Sequence, residues 1–290
     1  MKQNDTIEQN DSPFQEVNMD VKIVTFDIEN FSNIVESWQV FGKEWRCINV
    51  LVPWSVACFA AKWLGKKTEI YSVDDYEDYE PLIIKNKDGS ILLRKPNDYT
   101  LMREMHKILD EADIVVGWNS KRFDVKKVQS RMISYGMEPP SPFKQIDVMQ
   151  EKKKLAASNF NSLNETSAEW GLGAKLEHEG YPLWQGCAEG DPKAWAKMKR
   201  YCVQDVILTE KTYMFLRPWM ATHPNLNVYT GATRSCPICQ RADTLIKRGF
   251  SAAGMRRKQI YQCAPSRNGC GKYCTGELIP QAPNEKVIIK

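Results

Sequence analysis

The chain has 290 residues, 42% hydrophobic and 26% charged, with a formal net charge of +4. That make-up suits a soluble globular protein with one sizeable core and a small appendix, and gives no sign of a fibrous or disulfide-rich fold. Residues Met1 to Asp20 are polar and acidic, without the apolar run of a secretory signal, and read as a flexible leader. The most membrane-like stretch, Ile48 to Leu64, is broken by Asn49, Pro53, Ser55 and Lys62, so no membrane span is expected. The cytoplasm is the expected location.

The first strand falls on Lys22 to Ile28. Within it Val24-Thr-Phe-Asp-Ile-Glu29 places Asp27 and Glu29 on either side of one apolar residue. In an extended chain residues i and i+2 share a face. The two carboxylates therefore project together from a strand whose other residues, Ile23, Val24, Phe26 and Ile28, belong in a core. Like charges so close repel and lose hydration unless a cation lies between them. Hard Mg2+ or Mn2+ suits carboxylate oxygen. Taken alone, the pair fits equally well a strand end whose acids reach water.

Trp38 to Val52, Val56 to Trp63 and Thr68 to Ser72 read as further strands from their aromatic and β-branched content, the first two joined at Pro53. The acidic run Asp74 to Glu80 reads as a solvated loop. Leu101, Met105, Ile108 and Leu109 recur at helical spacing and predict an amphipathic helix over Asp98 to Ala112, capped by Asn97 or Asp98. Asp113 to Trp118 is a buried strand of the parallel-sheet type. Asn119 and Ser120 then cap a helix carrying Phe123, Val128 and Met132, with Asp124 in its first turn. After Pro139-Pro-Ser-Pro142 a short strand covers Lys144 to Val148, and a helix covers Ser162 to Trp170, closed by Gly171 and Gly173.

Asp191-Pro192 opens a long helix that runs to about Leu216. On a helical wheel Ala194, Met198, Tyr201, Asp205 and Leu208 share one arc. Tyr201 and Asp205 thus stand one above the other on the face turned to the sheet, where an aspartate needs a partner. Strands first, then alternating helix and strand, predict an α/β fold: a mixed sheet with helices on its faces.

Charge and cysteine divide the chain. From Leu226 onward there are eleven Lys and Arg against three Asp and Glu, while the preceding part has 29 against 33. Five of the nine cysteines lie between Cys236 and Cys274. The expected organisation is a leader over 1–20, a body over 21–220, a linker over 221–232 and a small domain over 233–290.

Asp27-Ile-Glu29 on a strand, Asn119-x4-Asp124 after a strand and Tyr201-x3-Asp205 on a late helix occur in that order. The set resembles the DEDD exonucleases of the tyrosine subclass, which have a ribonuclease-H-like fold and include the proofreading domains of family B DNA polymerases. The resemblance spans about residues 21 to 220. Gly171-Leu-Gly-Ala-Lys175 and Gly190-Asp-Pro-Lys-Ala-Trp195 look like phrases of stand-alone exonuclease-like proteins of tailed bacteriophages, which would place the chain in the host cytoplasm. The length leaves no room for a polymerase domain.

The resemblance implies that Asp27, Glu29, Asp124 and Asp205 hold two Mg2+ or Mn2+ ions, about 3.5–4 Å apart, with Tyr201 orienting the attacking water. A nucleoside 5′-monophosphate would leave from a DNA 3′ end or a single strand, with RNA left open. Phe31 or Asn119 would touch the terminal nucleotide and Lys175 a phosphate. Asp147 is a rival carboxylate that the family pattern does not require, and it stays outside the metal set.

In the tail, Cys236-Pro-Ile-Cys239 followed by Cys263 and Cys270 suits tetrahedral Zn2+. An odd count of five cysteines argues against a disulfide framework. The pattern resembles a zinc ribbon, with six residues between Cys263 and Cys270 where two or three are usual, so Cys274 is an alternative fourth ligand. The zinc would be structural. Lys247, Arg248, Arg256, Arg257, Lys258, Arg267 and Lys272, with Phe250, Tyr261 and Tyr273, make the ribbon a candidate nucleic-acid tether. The alternative is an inert nuclease-like adaptor whose ribbon recruits nucleic acid or a replication or recombination partner. A structure-specific endonuclease is a third reading, which the Tyr201–Asp205 pairing disfavours.

Overall fold

The computed structural model describes residues 21–38, 47–80, 83–85, 91–93, 97–231, 235–253 and 256–275; of 83–85, 91–93, 252, 253 and 256–258 only the backbone is described. The leader and the side chains of Arg256, Arg257 and Lys258 lie outside the described residues.

Strand β1 (Ile23–Phe31) is the middle of a five-stranded sheet. β2 (Ile34–Ser37) and β3 (Cys47–Val52) form an antiparallel hairpin beyond its end. The single strand expected over Trp38 to Val52 is therefore a strand only from Cys47, and 39–46 lie outside the described residues. The chain turns at Pro53 into β4 (Ser55–Trp63), antiparallel to β1, and β5 (Thr68–Ser72) pairs with β4. β6 (Ile83–Lys85) and β7 (Ile91–Leu93) make a small hairpin. Helix α1 (Tyr99–Glu111) leads to β8 (Ile114–Gly117), and α2 (Asp124–Ser134) to β9 (Lys144–Asp147). Both strands run parallel to β1, giving the order β5-β4-β1-β8-β9. Short helices α3 (Val148–Leu155), α4 (Leu163–Glu169) and α5 (Tyr181–Ala188) precede the 25-residue α6 (Pro192–Leu216).

Alternation along β1 decides what each face buries. Val24 and Phe26 join the large apolar cluster with Leu101, Met105 and Val128 of α1 and α2. The odd-numbered face meets α6: Ile23 clusters with Tyr213 and Leu216, and Phe31 packs edge-on against Trp195 with centroids 5.9 Å apart. Asp27 and Glu29 fall on that same face. Asp191 accepts the Lys193 N–H at 2.9 Å and Pro192 fills the first turn, which fixes where α6 begins. Asp98 does not cap α1 with its side chain. Its buried carboxylate takes the Val56 N–H at 2.8 Å, the Arg131 guanidinium and the Tyr135 hydroxyl, locking β4 to α1 and α2. Phe123, expected on the apolar face of α2, is 43% exposed, because it precedes the first helical residue, Asp124.

Within the segment expected as a linker, the described residues 221–231 are mostly exposed but include buried anchors. Leu226 and Asn227 are fully buried, the latter opening α7 (Asn227–Thr230). Beyond it β10 (Leu245–Ala253), β11 (Arg256–Cys263) and β12 (Tyr273–Thr275) form an antiparallel sheet. Polar contacts tie this part, and the segment before it, to the end of the body. Arg217 donates to the Ile238 carbonyl and the Leu226 N–H to Pro237 at 2.7 Å. Lys272 donates to the Met220 carbonyl at 2.6 Å, and the Tyr213 hydroxyl lies 2.7 Å from His223 Nε2. Among the described residues no helix is long and apolar enough to cross a membrane.

Candidate active site and metal centre

One carboxylate oxygen from each of Asp27, Glu29 and Asp205 lies within 4.8 Å of the others. The first two come from the middle strand, the third from α6 across the odd-numbered face. A bulge between Glu29 and Asn30 breaks the register with β4 immediately after the second acid. Asp124 stands beside this trio rather than in it. It is 3% exposed, and its Oδ1 accepts the Ile28 N–H at 3.4 Å, on the backbone between the two β1 acids. The approach is made possible by Gly117: a Cβ there would come within 2.5 Å of Ser120 Cβ, so the loop from β8 to α2 could not close over the strand end. Asn119 adopts φ 59°, a left-handed conformation that Asn tolerates. Its N–H and that of Lys121 go to Asp147 at 3.1 and 3.3 Å. Asp147, which also caps α3, thus holds the loop.

Burial and mutual repulsion load this site. Burial, then the Asp124, Glu29 and Asp205 charges, push the Asp27 carboxyl well above its usual range. Burial and Asp205 raise Glu29 to about 8, and burial raises Asp124 to about 7. Burial also raises Asp205, against the pull of Lys175. Burial works against the Lys175 ammonium too, but the Asp205 carboxylate outweighs it and holds the lysine charged. Lys175 Nζ donates to Asp205 Oδ2 at 2.5 Å and to the Tyr201 hydroxyl at 3.1 Å. Tyr201 is 7% exposed, and burial and Asp205 push it up to about 12.

Asp205 Oδ1 is buried without a hydrogen-bond partner among the described residues. A buried carboxylate oxygen left bare costs free energy that a cation would recover. The donor set is all oxygen, and the acids Asp27, Glu29, Asp124 and Asp205 outnumber Lys175. Such a site fits hard Mg2+ or Mn2+.

Two residues that the sequence reading missed complete the surroundings. His178 packs edge-on against Tyr201, centroids 4.8 Å apart, and Trp184 of α5 lies edge-on to both. The available signal was Tyr181-Pro182, a proline in the first helical turn followed by Leu183 and Cys187 at i, i+4 spacing. Phe31, expected to touch a nucleotide, is 4% exposed and packs on Trp195, and it also lines the groove that runs from Glu29. The more open aromatics are Phe123 and Trp54. They border a groove of about 330 Å³ running from Glu29, with Lys127 3.9 Å from the Trp54 ring centroid. Asn119 is half-buried behind its loop.

In the tail, the sulfurs of Cys236, Cys239, Cys263 and Cys270 all lie within 4.8 Å of one another, with Cys236–Cys270 at 3.9 Å and Cys239–Cys263 at 3.7 Å. These separations are far beyond a disulfide bond. A tetrahedron with Zn–S bonds of about 2.3 Å has edges of about 3.8 Å. The Ile238 and Cys270 N–H groups donate to the sulfurs of Cys236 and Cys263 at 3.4 and 3.2 Å, as thiolates favour. The unusual six-residue spacing is absorbed by a 3-10 turn over Pro265–Arg267 and by Gly269, whose missing Cβ would sit 2.7 Å from Cys263 Sγ. Cys274 lies outside the four, its sulfur 3.9 Å from the Tyr261 carbonyl.

The RNase_H superfamily sequence model matches residues 83–217, a span that holds Asp124, Tyr201 and Asp205 and begins after the β1 acids. Together with the central mixed sheet and its flanking helices, this match makes the body a ribonuclease-H-like domain. No curated protein sequence matches the chain. Among solved structures, the chain is similar to the family B DNA polymerase of the hyperthermophilic archaeon Pyrobaculum calidifontis, at 14% identity and a TM-score of 0.47. The similarity covers 71% of this chain and 26% of that one, so the chain spans about a quarter of the polymerase.

Proposed function

We propose that the protein is a metal-dependent 3′-to-5′ exonuclease that removes nucleoside 5′-monophosphates from DNA ends. The observation that carries this reading is the convergence of Asp27, Glu29 and Asp205, with a buried Asp205 oxygen left without a hydrogen-bond partner among the described residues. Asp27, Glu29 and Asp205 would hold Mg2+ or Mn2+, with Asp124 beside them. The ions would supply an acidified water and neutralise charge on the phosphate and the departing 3′ oxygen.

The protein's own groups do the rest. Tyr201, raised to about 12, is a poor proton acceptor at neutral pH and orients the water through its hydroxyl. Lys175 holds that hydroxyl and offers a fixed positive charge to the phosphate. The water oxygen bonds to phosphorus as the P–O3′ bond breaks, and the water's proton ends on the 3′ hydroxyl of the shortened strand. Phe123 and Trp54 give terminal bases faces to stack on. In the tail a structural Zn2+ on the four cysteines would hold a ribbon whose basic residues attract the phosphate backbone.

A linear oligonucleotide labelled at its 3′ nucleotide and a circular single strand, each incubated with Mg2+ or Mn2+, test the reading. Early release of labelled mononucleotide from the first, with the circle intact, supports it. A cut circle would favour an endonuclease. The second reading, an inert nucleic-acid-binding adaptor, is favoured by one observation: the Lys175 ammonium already partners Asp205. It would stand if the protein bound the oligonucleotide but released nothing with either ion.

A further inference from the structure

The loop that carries Asp124 toward the acids turns its other side to a second feature. Lys121, three residues earlier, borders a cleft of about 200 Å³ along edge strand β9, where it is joined by Lys144 and by Lys154 of α3. Met220, Thr222 and His223 close the far side, so the cleft exists because the chain crosses back from α6 toward the cysteine-rich part. The acid in this cleft is already engaged: Glu151 pairs with Lys154 at 2.7 Å and accepts the Thr222 hydroxyl at 3.0 Å. His223 adds no charge at neutral pH, since burial and the Arg217 charge hold its pKa down while its ring nitrogens meet the Tyr213 hydroxyl and the Pro224 carbonyl. Lys121 and Lys144 are exposed and leave the cleft net positive. Lys272 of the tail reaches the Met220 carbonyl on its wall, so the positive surface continues into the basic ribbon.

We propose that this cleft binds the phosphodiester backbone of a single strand beyond the nucleotide being removed, linking the acid site to the ribbon as one track. The proposal rests on the exonuclease reading for its direction of travel, but the binding itself does not require cleavage. The ligand chemistry is a chain of phosphate monoanions. Successive phosphates would meet Lys121, then Lys144 and Lys154, then the tail, and each neutralised phosphate adds to the salt dependence of binding. A free nucleotide or inorganic phosphate offers the same group without the chain, and the test separates the two.

The experiment uses the full-length protein, wild type and Lys121→Glu/Lys144→Glu, with Lys121→Gln/Lys144→Gln as a milder pair. Binding of fluorescein-labelled oligo-dT of 4 and 16 nucleotides is followed by anisotropy in Ca2+ across a salt series. The charge-reversed protein should bind the 16-mer at least tenfold more weakly and with a salt slope lower by about 1–2. The loss for the 4-mer should be several-fold smaller, because fewer of its phosphates reach the cleft. An unchanged 16-mer affinity and slope, with circular dichroism showing both variants folded, would overturn the proposal. So would displacement of the 16-mer by millimolar phosphate or thymidine monophosphate as readily as by unlabelled 16-mer, since that marks a small-anion site. If the wild type releases no mononucleotide yet shows the length-dependent effect, the cleft stands and the exonuclease reading falls.

Discussion

Lys175 and Asp205, thirty residues apart, meet at 2.5 Å on the inner side of α6, and the same ammonium reaches the Tyr201 hydroxyl. The lysine therefore sits where a cation bound to Asp205 would also be drawn, and the two compete for one carboxylate. Truncating it should have opposite effects on two parameters.

Lys175→Ala should lower kcat by about 10–100-fold, as loss of supporting partners around a metal site does, because Tyr201 loses its anchor and the phosphate a charge. The Mn2+ concentration for half-maximal rate should fall, because a rival for Asp205 is gone. Steady-state rates across a Mn2+ series read both. A rise in the metal requirement would show instead that Lys175 helps to assemble the ion site.

Tyr201→Phe tests orientation against proton abstraction. With the hydroxyl pushed up to about 12, it stays protonated below pH 9 in the native enzyme, and its removal should slow turnover without moving either limb of the pH–rate profile between pH 6 and 9. A vanished basic limb would make Tyr201 the base.

The acids of the site were legible in the chain. The Asp27–Glu29 pair stood out because period-two alternation put two charges on one face of an apolar strand, and α6 because 25 residues hold the helical period long enough to place Asp205 beside Tyr201. Short elements were not legible. α3 carries Lys152-Lys-Lys154, with the Lys152 side chain buried and donating to Thr166 and the Phe160 carbonyl, so its charges misstate its burial. The docking of the tail was hidden for another reason. Arg217 and Lys272 reach main-chain carbonyls, Ile238 and Met220, and a carbonyl leaves no side-chain signature. Gly269 and the turn before it likewise decide how Cys270 can reach Cys263, and spacing alone could not tell it from Cys274.

The docked tail gives a stability prediction. Cys236→Ser, or removal of zinc by a strong chelator, should unfold the ribbon and lower the thermal midpoint of the whole chain, because Arg217 and Leu226 are partnered by Ile238 and Pro237 within the Cys236–Cys239 knuckle. Metal analysis should find one zinc per chain in the native protein and none in the variant. A body that melts at an unchanged temperature with the zinc gone would show that the docking adds nothing.

His223 gives a pH dependence. Burial first, then the Arg217 charge, lowers its pKa to about 3, against about 6.5 in the unfolded chain. Between those values the unfolded chain takes up a proton that the folded one refuses. Stability is full above about pH 6.5 and falls with acidification by about 1.4 kcal/mol per pH unit, hence about 2 kcal/mol by pH 5. In His223→Gln, which keeps an acceptor for Tyr213, urea unfolding at pH 7 and pH 5 should show the difference shrink by about that amount. An equal acid loss in both proteins would place the titrating group elsewhere.

The central claim is that acids distant in sequence share divalent ions, and calorimetric titration of Mn2+ into zinc-loaded protein measures that directly. The account predicts up to two Mn2+ per chain beyond the zinc in the native protein, and loss of that binding in Asp27→Asn and Asp205→Asn while the zinc content stays at one. Native protein that takes up no Mn2+, or variants that bind it as the native chain does, would contradict it.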